Sequence, residues 1–335
     1  MNLTLGGRSV GDGEPCFIVA EACENSNGDV DIACAQIVQA ALAGADAVKF
    51  QTLERGEIYN PSNPRYAKRP FVEMPLADYP RLIETAKENN LIFFSTPMDE
   101  ISADFLDALG ISFFKIGSGD LTHHGLLRHI ARKGKPMIIS TGAAEQRWIE
   151  DAVRVVKDAG NDQIIITHCT SVYPASAGLV NLRAMPKLRE ELDLLVGFSD
   201  HTMSTTVPMT AVALGACLVE KHFTLSRALP EGDNDISLEP SEFKVMVDGI
   251  REVEAALGTD KLSVLPEEEV VLPLMRRGVY ARSDIKRGQK IEPGLLAVRR
   301  PLSEIPADQV DRVVGQTAKV DIPAEVGLSW EQLAE

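Results

Sequence analysis

Short apolar runs alternate with amphipathic stretches along most of this chain. The runs are almost free of polar residues until their last positions, which is typical of strands buried on both faces of a parallel sheet. The predicted strands are 17–21, 47–51, 91–95, 113–116, 136–140, 164–168, 194–199 and 217–222. Apolar residues at helical spacing predict helices at 31–43, 78–89, 100–109, 123–133, 145–159, 181–191, 203–215 and 240–257.

Eight strand–helix units predict an α/β protein with a closed (β/α)8 TIM barrel. A doubly wound open sheet is the alternative, and the lack of a GxGxxG motif after the first strand weakens it. The pattern changes after Gly258, where Pro and Glu residues become frequent and short apolar pieces are separated by Gly and Pro turns. We therefore expect a barrel domain at 1–260, a linker with a short helix at 261–275 and a small turn-rich domain at 276–335.

Polar residues follow or end nearly every predicted strand, and in a barrel all these ends meet at one mouth, where catalytic groups lie. Helix capping explains the serines and aspartates among them, but it does not explain the lysines and histidines. His201 and His222 end two successive strands. One buried histidine is more often structural, but two at neighbouring strand ends predict a metal site. Neutral imidazoles suit Mn, Zn, Fe or Co, and such an ion polarises a bound carbonyl.

Two loops are suited to an anion. The segment FKIGSGD (114–120) places Lys115 before a Gly-Ser-Gly turn and a helix, and STG (140–142) follows the next strand. Lys49, in VKFQT, directs a second cation toward the same mouth. Two lysines and nearby hydroxyls predict a pocket for a phosphorylated carboxylate, whereas the alternative is a tight turn with a solvated lysine.

Further candidates are acidic or lie in loops. Glu21 ends the first predicted strand, Asp120 closes the GSGD loop, and Asp233 lies in EGDND (231–235), which is either a lid that grips sugar hydroxyls or a surface turn. Ser171 and Tyr173, in CTSVYP (169–174), are candidates to line the pocket.

Composition excludes several classes of function. The net charge of −15 argues against a nucleic-acid partner, because phosphate backbones are bound by basic surfaces. No apolar run is long enough to span a bilayer and no secretory signal is visible, so we expect a cytoplasmic protein. The five cysteines show no CxxC spacing, and we interpret them as reduced, small hydrophobic residues, with Cys169 a candidate for the site wall.

The motifs together resemble the sialic acid synthase family, which condenses phosphoenolpyruvate into nonulosonic acids. The matching strings are VAEACENSNGD, GADAVKFQT, FFSTPMD, FFKIGSGD, PMIISTG, HCTSVYP, VGFSDHT, VEKHFT and SLEP, in that order. The C-terminal segment resembles the family's antifreeze-like (SAF) domain, so the resemblance covers nearly the whole chain.

The resemblance implies a transferase of the N-acetylneuraminate synthase type. It implies that N-acetylmannosamine is the acceptor; the alternative is a 2,4-diacetamido-trideoxyhexose that leads to legionaminic or pseudaminic acid. It also implies a domain-swapped homodimer. By motif position, His201 and His222 hold Mn2+, with Mg2+ or Co2+ as other options, and Glu21, Lys49, Lys115 and His222 are catalytic. The remaining implied contacts are Lys49, Lys115, Ser118, Ser140, Thr96 and Ser199 with phosphoenolpyruvate, and Gln51, Asp120, Ser171, Tyr173, Asp233 and the partner domain's Arg300 with the sugar or the pocket wall.

Two departures from the family pattern bear on function. The family's first-strand motif N-H-x-G is here Asn25-Ser26-Asn27-Gly28, so an acid often found between the histidine and the glycine is absent at position 27. The segment 53–77, where an acceptor-specific loop would lie, matches no pattern of the family.

Two other functions stay open. One is a sugar- or phosphate-binding module without catalysis, and the other is a barrel aldolase with Lys115 or Lys221 as a Schiff-base lysine.

Overall fold

A computed structural model describes residues 1–63, 66 and 73–334. The chain divides into two compact units, Met1–Gly258 and Thr259–Glu335. The strands of the first unit are β1 Asn2–Leu5, β2 Arg8–Gly11, β3 Phe17–Cys23, β4 Ala47–Thr52, β5 Ile92–Pro97, β6 Phe114–Ile116, β7 Met137–Ser140, β8 Ile164–Cys169, β9 Leu195–Asp200 and β10 Leu218–His222. Its described helices are α1 Val30–Leu42, α2 Arg55–Ile58, α3 Tyr79–Glu88, α4 Glu100–Ala108, α5 His124–Ala131, α6 Gln146–Asp158, α7 Ala184–Leu192, α8 Thr206–Ala213 and α9 Pro240–Leu257.

Eight parallel strands form a nearly closed barrel. The hydrogen-bonded order is β5-β4-β3-β10-β9-β8-β7-β6, so each strand pairs with its neighbours in the chain and β10 returns to β3. The end strands β5 and β6 lie beside each other, although the described residues form no ladder between them. The predicted barrel is confirmed, and the alternative of an open doubly wound sheet is wrong.

The strands bury both faces, as their apolar runs predict. One face packs against the helices, where Val48, Phe50 and Val219 belong to the large outer core. The other face fills the barrel interior, where Phe94 and Leu218 belong to a smaller inner core. Because side chains alternate between faces along a strand, this division fixes which residues of each strand point into the barrel.

An antiparallel hairpin of β1 and β2, which the sequence pattern did not predict, contributes to the inner core. Its Leu5 and Val10 are fully buried there. The hairpin turns at Gly6 and Gly7, which both have positive φ, as a tight two-residue hairpin turn requires. The inner core therefore includes apolar residues from outside the eight barrel strands.

The second unit has a core of its own that includes Val279, Ile285 and Leu328, all fully buried. Its elements are short: helices α10 Pro266–Glu269, α11 Leu272–Met275 and α12 Val310–Val313, and strands β11 Gly278–Ala281, β12 Leu296–Arg299, β13 Thr317–Ala318 and β14 Leu333–Ala334. Within the described part of the chain, no helix is both long and apolar enough to cross a bilayer.

Candidate active site

Inward-facing residues change from apolar to polar toward the carboxyl ends of the barrel strands. On β10, Leu218 belongs to the inner core and the next residues of the same parity are Glu220 and His222. On β4, Ala47 belongs to the inner core and Lys49 follows it two positions later. The polar residues that point to the interior by the same alternation are Glu21, Lys49, Gln51, Thr96, Lys115, Ser140, Thr167, Ser199, Glu220 and His222.

Glu220 joins the two predicted lysines into one buried cluster. Both its oxygens lie 2.9 Å from Lys115 Nζ, and Oε1 lies 3.5 Å from Lys49 Nζ. Ser199 Oγ donates to the same oxygen at 3.3 Å. Our sequence prediction missed Glu220, although its place two residues before His222 is the alternation that marks an inward position.

Lys49 connects this cluster to Glu21. Its Nζ lies 2.9 Å from Glu21 Oε2 and donates to Thr96 Oγ1 at 3.0 Å. Gln51 Nε2 donates to Glu21 Oε1 at 3.2 Å. The structure thus brings together six predicted residues, Glu21, Lys49, Gln51, Thr96, Lys115 and Ser199. Glu21, Lys49 and Lys115 are each less than 5% exposed.

The two carboxyl groups have very different proton affinities. Burial raises the pKa of Glu21 to about 7, with the Lys49 ammonium opposing the rise and the Glu220 carboxylate adding to it. Burial also disfavours ionisation of Glu220, but the ammonium groups of Lys115 and Lys49 outweigh it and lower the pKa of Glu220 to about 2. Near neutral pH, two ammonium groups therefore face one permanent carboxylate and one that is partly protonated. The cluster has a partial positive charge that suits an anion.

A small cradle lies beside the cluster, where the loops after β6, β7 and β8 meet. Gly142 N donates to Ser118 Oγ at 2.9 Å. A Cβ placed at Gly142 would lie 2.1 Å from Ser171 Oγ, 2.7 Å from Ser118 Oγ and 3.0 Å from Cys169 Sγ. The predicted Ser118 and Ser171 are therefore brought together around a position where only glycine fits. Ser140 Oγ, on β7, bonds Thr167 Oγ1 at 2.8 Å.

The two histidines lie side by side at the mouth, at the ends of the neighbouring strands β9 and β10. Their ring centroids are 5.3 Å apart, and each residue is only 6% exposed. Thr170 O accepts a hydrogen bond from His201 Nδ1 at 2.8 Å, which leaves Nε2 with a free lone pair. His222 Nδ1 is buried, makes no hydrogen bond and lies 3.7 Å from Asp233 Oδ2. Tyr173 covers the pair, with its ring centroid 4.0 Å from that of His201.

These residues fit a divalent metal ion. An unpartnered buried nitrogen on His222 and a free lone pair on His201 are what an ion requires of imidazole ligands. Cys23, His222 and Asp233 also place one potential ligand atom each within 4.8 Å of one another. The two predicted metal ligands, His201 and His222, are thus close together, while Cys23 was not predicted for this position.

Asn25 holds the acidic loop against the mouth and was also missed. Its Nδ2 donates to Phe223 O at 3.0 Å and to Ser237 Oγ at 2.9 Å, while Asp233 N donates to its Oδ1 at 2.7 Å. The predicted loop residue Asp233 is therefore fixed by the first-strand motif. An asparagine two residues after a strand end and three residues before a glycine was the available signal.

Three further candidates lie apart from the cluster's hydrogen bonds. Burial raises the pKa of Asp120, in the turn after β6, to about 6, with His123 opposing and Asp99 adding to the rise. Arg300 follows β12 in the second unit, and its role at the barrel mouth stays a prediction. Lys221 forms an ion pair with Asp200 at 2.6 Å. Its side chain lies on the outward face of β10, so it does not face the barrel interior.

Of the segment 53–77, residues 64, 65 and 67–72 lie outside the described residues.

Comparison with known proteins identifies both units. The model of the NeuB family matches residues 36–261, and that of the SAF domain matches residues 276–334. N,N'-diacetyllegionaminic acid synthase of Legionella pneumophila is 37% identical, with 96% of this chain and 96% of that protein covered. Human N-acetylneuraminate-9-phosphate synthase is 32% identical, with 94% and 92% covered.

A solved structure is similar over most of the same length. The crystal structure of N-acetylneuraminic acid synthetase from Leptospira borgpetersenii, in complex with citrate, is 33% identical with a TM-score of 0.77. The match covers 81% of this chain and 94% of that chain. The resemblance inferred from the strand-end motifs is confirmed.

Proposed function

The chain belongs to the NeuB family and is an enzyme of this synthase type, and from that premise we propose that it condenses phosphoenolpyruvate with an N-acylated hexosamine to give a nonulosonic acid and phosphate. The observation that carries the proposal is the buried cluster of Lys49, Lys115, Glu21 and Glu220, which lies at the same barrel mouth as the neighbouring histidines and the loop of Gly142. This arrangement offers charge for a small anion and ligands for a Lewis acid at one end of the barrel.

The lysines and the cradle bind the donor. The ammonium groups of Lys49 and Lys115 neutralise the phosphate and carboxylate of phosphoenolpyruvate, and the hydroxyls of Ser118 and Ser140 donate hydrogen bonds to it. Burial excludes water from these charges, so their attraction for the donor is stronger than at the protein surface. Fixing the donor in one orientation supplies much of the rate acceleration.

The chemistry joins two carbon atoms and releases phosphate. Carbon 3 of the donor attacks the acceptor aldehyde carbon, and the aldehyde oxygen takes a proton. Water adds to carbon 2 of the donor and loses a proton, which gives a tetrahedral carbon that carries a hydroxyl and the phosphate. The carbon–oxygen bond to phosphate then breaks as the hydroxyl loses its proton and becomes the keto group of the product. Glu21 is the proton source, because it bonds Gln51 on the sugar side of the cluster and its pKa of about 7 leaves it partly protonated at neutral pH. Gln51, Asp120, Tyr173 and Asp233 orient the sugar.

His201 and His222 would hold the divalent ion, and Asp233 lies next to them. When bound, such an ion supplies Lewis-acid polarisation of the acceptor carbonyl. His201 is already oriented by the Thr170 carbonyl, which fixes the nitrogen that faces the mouth. The family resemblance implies Mn2+ as this ion.

N-acetylmannosamine is the first candidate acceptor, as the family resemblance implies. A 2,4-diacetamido-trideoxyhexose is the second, and the 37% identity to the legionaminic acid synthase favours it. A domain-swapped homodimer, with Arg300 reaching the partner's sugar site, and a cytoplasmic location belong to the same proposal.

Phosphate release tests the proposal directly. Purified protein is incubated with phosphoenolpyruvate, Mn2+ and each acceptor in turn, and we expect phosphate and a nonulosonic acid in equal amounts with one of them. His222→Ala should abolish release, whereas His129→Ala, at a surface histidine that bonds Asp104, should retain it. Binding of phosphoenolpyruvate without release for any acceptor would support the binding-module alternative instead.

A further inference from the structure

Cys23 lies where a metal ligand is expected, although its thiol has no role in the chemistry above. Its Sγ is 3.2 Å from Asp233 Oδ2 and 3.1 Å from Gln51 Nε2. With His222 and Asp233 it forms a set of three ligand atoms that lie within 4.8 Å of one another. The side chains come from the end of β3, the end of β10 and the loop after β10, so the fold, and not local sequence, brings them together.

A second observation indicates that this set faces a ligand. His222 is only 6% exposed, and its Nδ1 is buried without a hydrogen-bond partner while it lies 3.7 Å from Asp233. An unsatisfied buried nitrogen is costly unless a group that accepts its lone pair binds there. A metal ion between His222, Asp233 and the thiol would accept this lone pair and replace the hydrogen bond from Cys23 to Asp233.

We propose that Cys23 supplies a thiolate ligand to the metal centre, together with His222 and Asp233, and that the centre therefore selects Zn2+ or Co2+ over Mn2+. The proposal deepens the function proposed above, on which its relevance to the reaction rests. Binding replaces the S–H bond by a sulfur–metal bond and releases the thiol proton to solvent. Sulfur ligands favour Zn2+ and Co2+ over Mn2+, which prefers oxygen.

The local backbone provides a clean variant. Cys23 has φ of 49°, in the left-handed region that glycine adopts without strain. Cys23→Gly therefore removes the thiol without imposing a new backbone conformation. Cys34→Ala is the matched control, because Cys34 is half-buried on α1 and its thiol accepts from Thr85 Oγ1 far from the mouth.

The experiment uses metal binding and not turnover. Metal-free full-length protein is titrated with Co2+, and the near-ultraviolet absorption band from thiolate-to-cobalt charge transfer is recorded; affinities for Zn2+ and Mn2+ are measured by competition. We expect the band in the wild-type protein and in Cys34→Ala, and its loss in Cys23→Gly. In Cys23→Gly the preference for Zn2+ over Mn2+ should fall by at least about tenfold.

Two results would overturn the assignment. One is Co2+ that binds in a His222-dependent manner without the charge-transfer band; the other is an unchanged Zn2+ preference in Cys23→Gly. Either would leave the proposed synthase activity standing, because phosphate release with Mn2+ is measured separately. Conversely, an intact band in a protein that releases no phosphate would support the ligand and contradict the proposed reaction.

Discussion

Lys221 Nζ lies 2.6 Å from Asp200 Oδ2, and both side chains are fully buried on the face of the barrel strands opposite to the active-site residues. Lys221 also donates to the Thr202 carbonyl, so the ammonium is satisfied within the protein framework. The next residue, His222, faces the interior. One strand end therefore combines a structural cation with a functional imidazole on adjacent residues.

Replacing Lys221 should destabilise the protein without directly changing the catalysed reaction. Lys221→Met leaves the Asp200 carboxylate buried without its counter-ion, and we expect a loss of about 3–5 kcal/mol in the free energy of unfolding, measured with urea. Lys244→Ala breaks an exposed pair with Asp248 and should cost less than about 1 kcal/mol. A Lys221→Met protein as stable as the control would contradict the structural role.

The Schiff-base alternative can be tested on the same protein. Because Lys221 faces away from the interior and Lys115 is paired with Glu220, neither amine is free to attack a carbonyl. Borohydride added in the presence of phosphoenolpyruvate and an acceptor sugar should leave the protein mass unchanged. A mass increase that disappears in Lys115→Met would contradict this assignment.

The protonation of Glu21 should control donor binding near neutral pH. Below its pKa of about 7 the carboxyl is neutral and the lysine cluster is more positive; above it, a new negative charge beside Lys49 opposes the anionic donor. The dissociation constant for phosphoenolpyruvate, measured by calorimetry without acceptor, should therefore rise as the pH increases through about 7.

Glu21→Gln provides the control for this pH effect, because the amide stays neutral at every pH. Any pH dependence of the dissociation constant that remains in this variant reports groups other than Glu21, including the donor itself. If the variant and the wild-type protein show the same dependence, Glu21 is not the responsible group.

The cradle at Gly142 should be sensitive to a single methyl group. In Gly142→Ala the added Cβ overlaps Ser171 and Ser118, so these hydroxyls must move. Because a small displacement of a site contact already has a large effect, we expect the affinity for the donor to fall by at least about tenfold. Gly119→Ala, in the neighbouring loop, has no atom within 4 Å of the new Cβ and should bind the donor like the wild-type protein. Equal affinities for both variants would show that the cradle does not hold the donor.

Arg300 should act on the acceptor and not on the donor. If it reaches the sugar from a partner subunit, Arg300→Ala raises the KM for the acceptor several-fold and leaves the dissociation constant of phosphoenolpyruvate unchanged. Arg299→Ala, at the adjacent exposed residue paired with Glu325, is the control. Unchanged acceptor kinetics in a protein shown by ultracentrifugation to be dimeric would contradict the proposed contact.

The periodic pattern of this sequence was enough to predict the eight barrel strands and their helices. Buried parallel strands need unbroken apolar runs, and amphipathic helices need a 3.6-residue repeat, so both signals are local. The hairpin of β1 and β2 was missed because its strands are short, although Gly6 and Gly7 marked its turn. Strand-end motifs also located Lys49, Lys115, His201 and His222 correctly at one mouth, because all parallel strands of a barrel end on the same side.

What the sequence determined by itself is therefore the architecture, the family and the set of strand ends that meet. Only the tertiary structure showed that Glu220 bridges Lys115 and Lys49, that Asn25 anchors the loop of Asp233, and that Cys23 lies beside His222. These relationships join residues far apart in the chain, and they depend on which face of each strand a side chain occupies and on the path of a loop. Local patterns carry no information about such distances, because the closing of the barrel creates them.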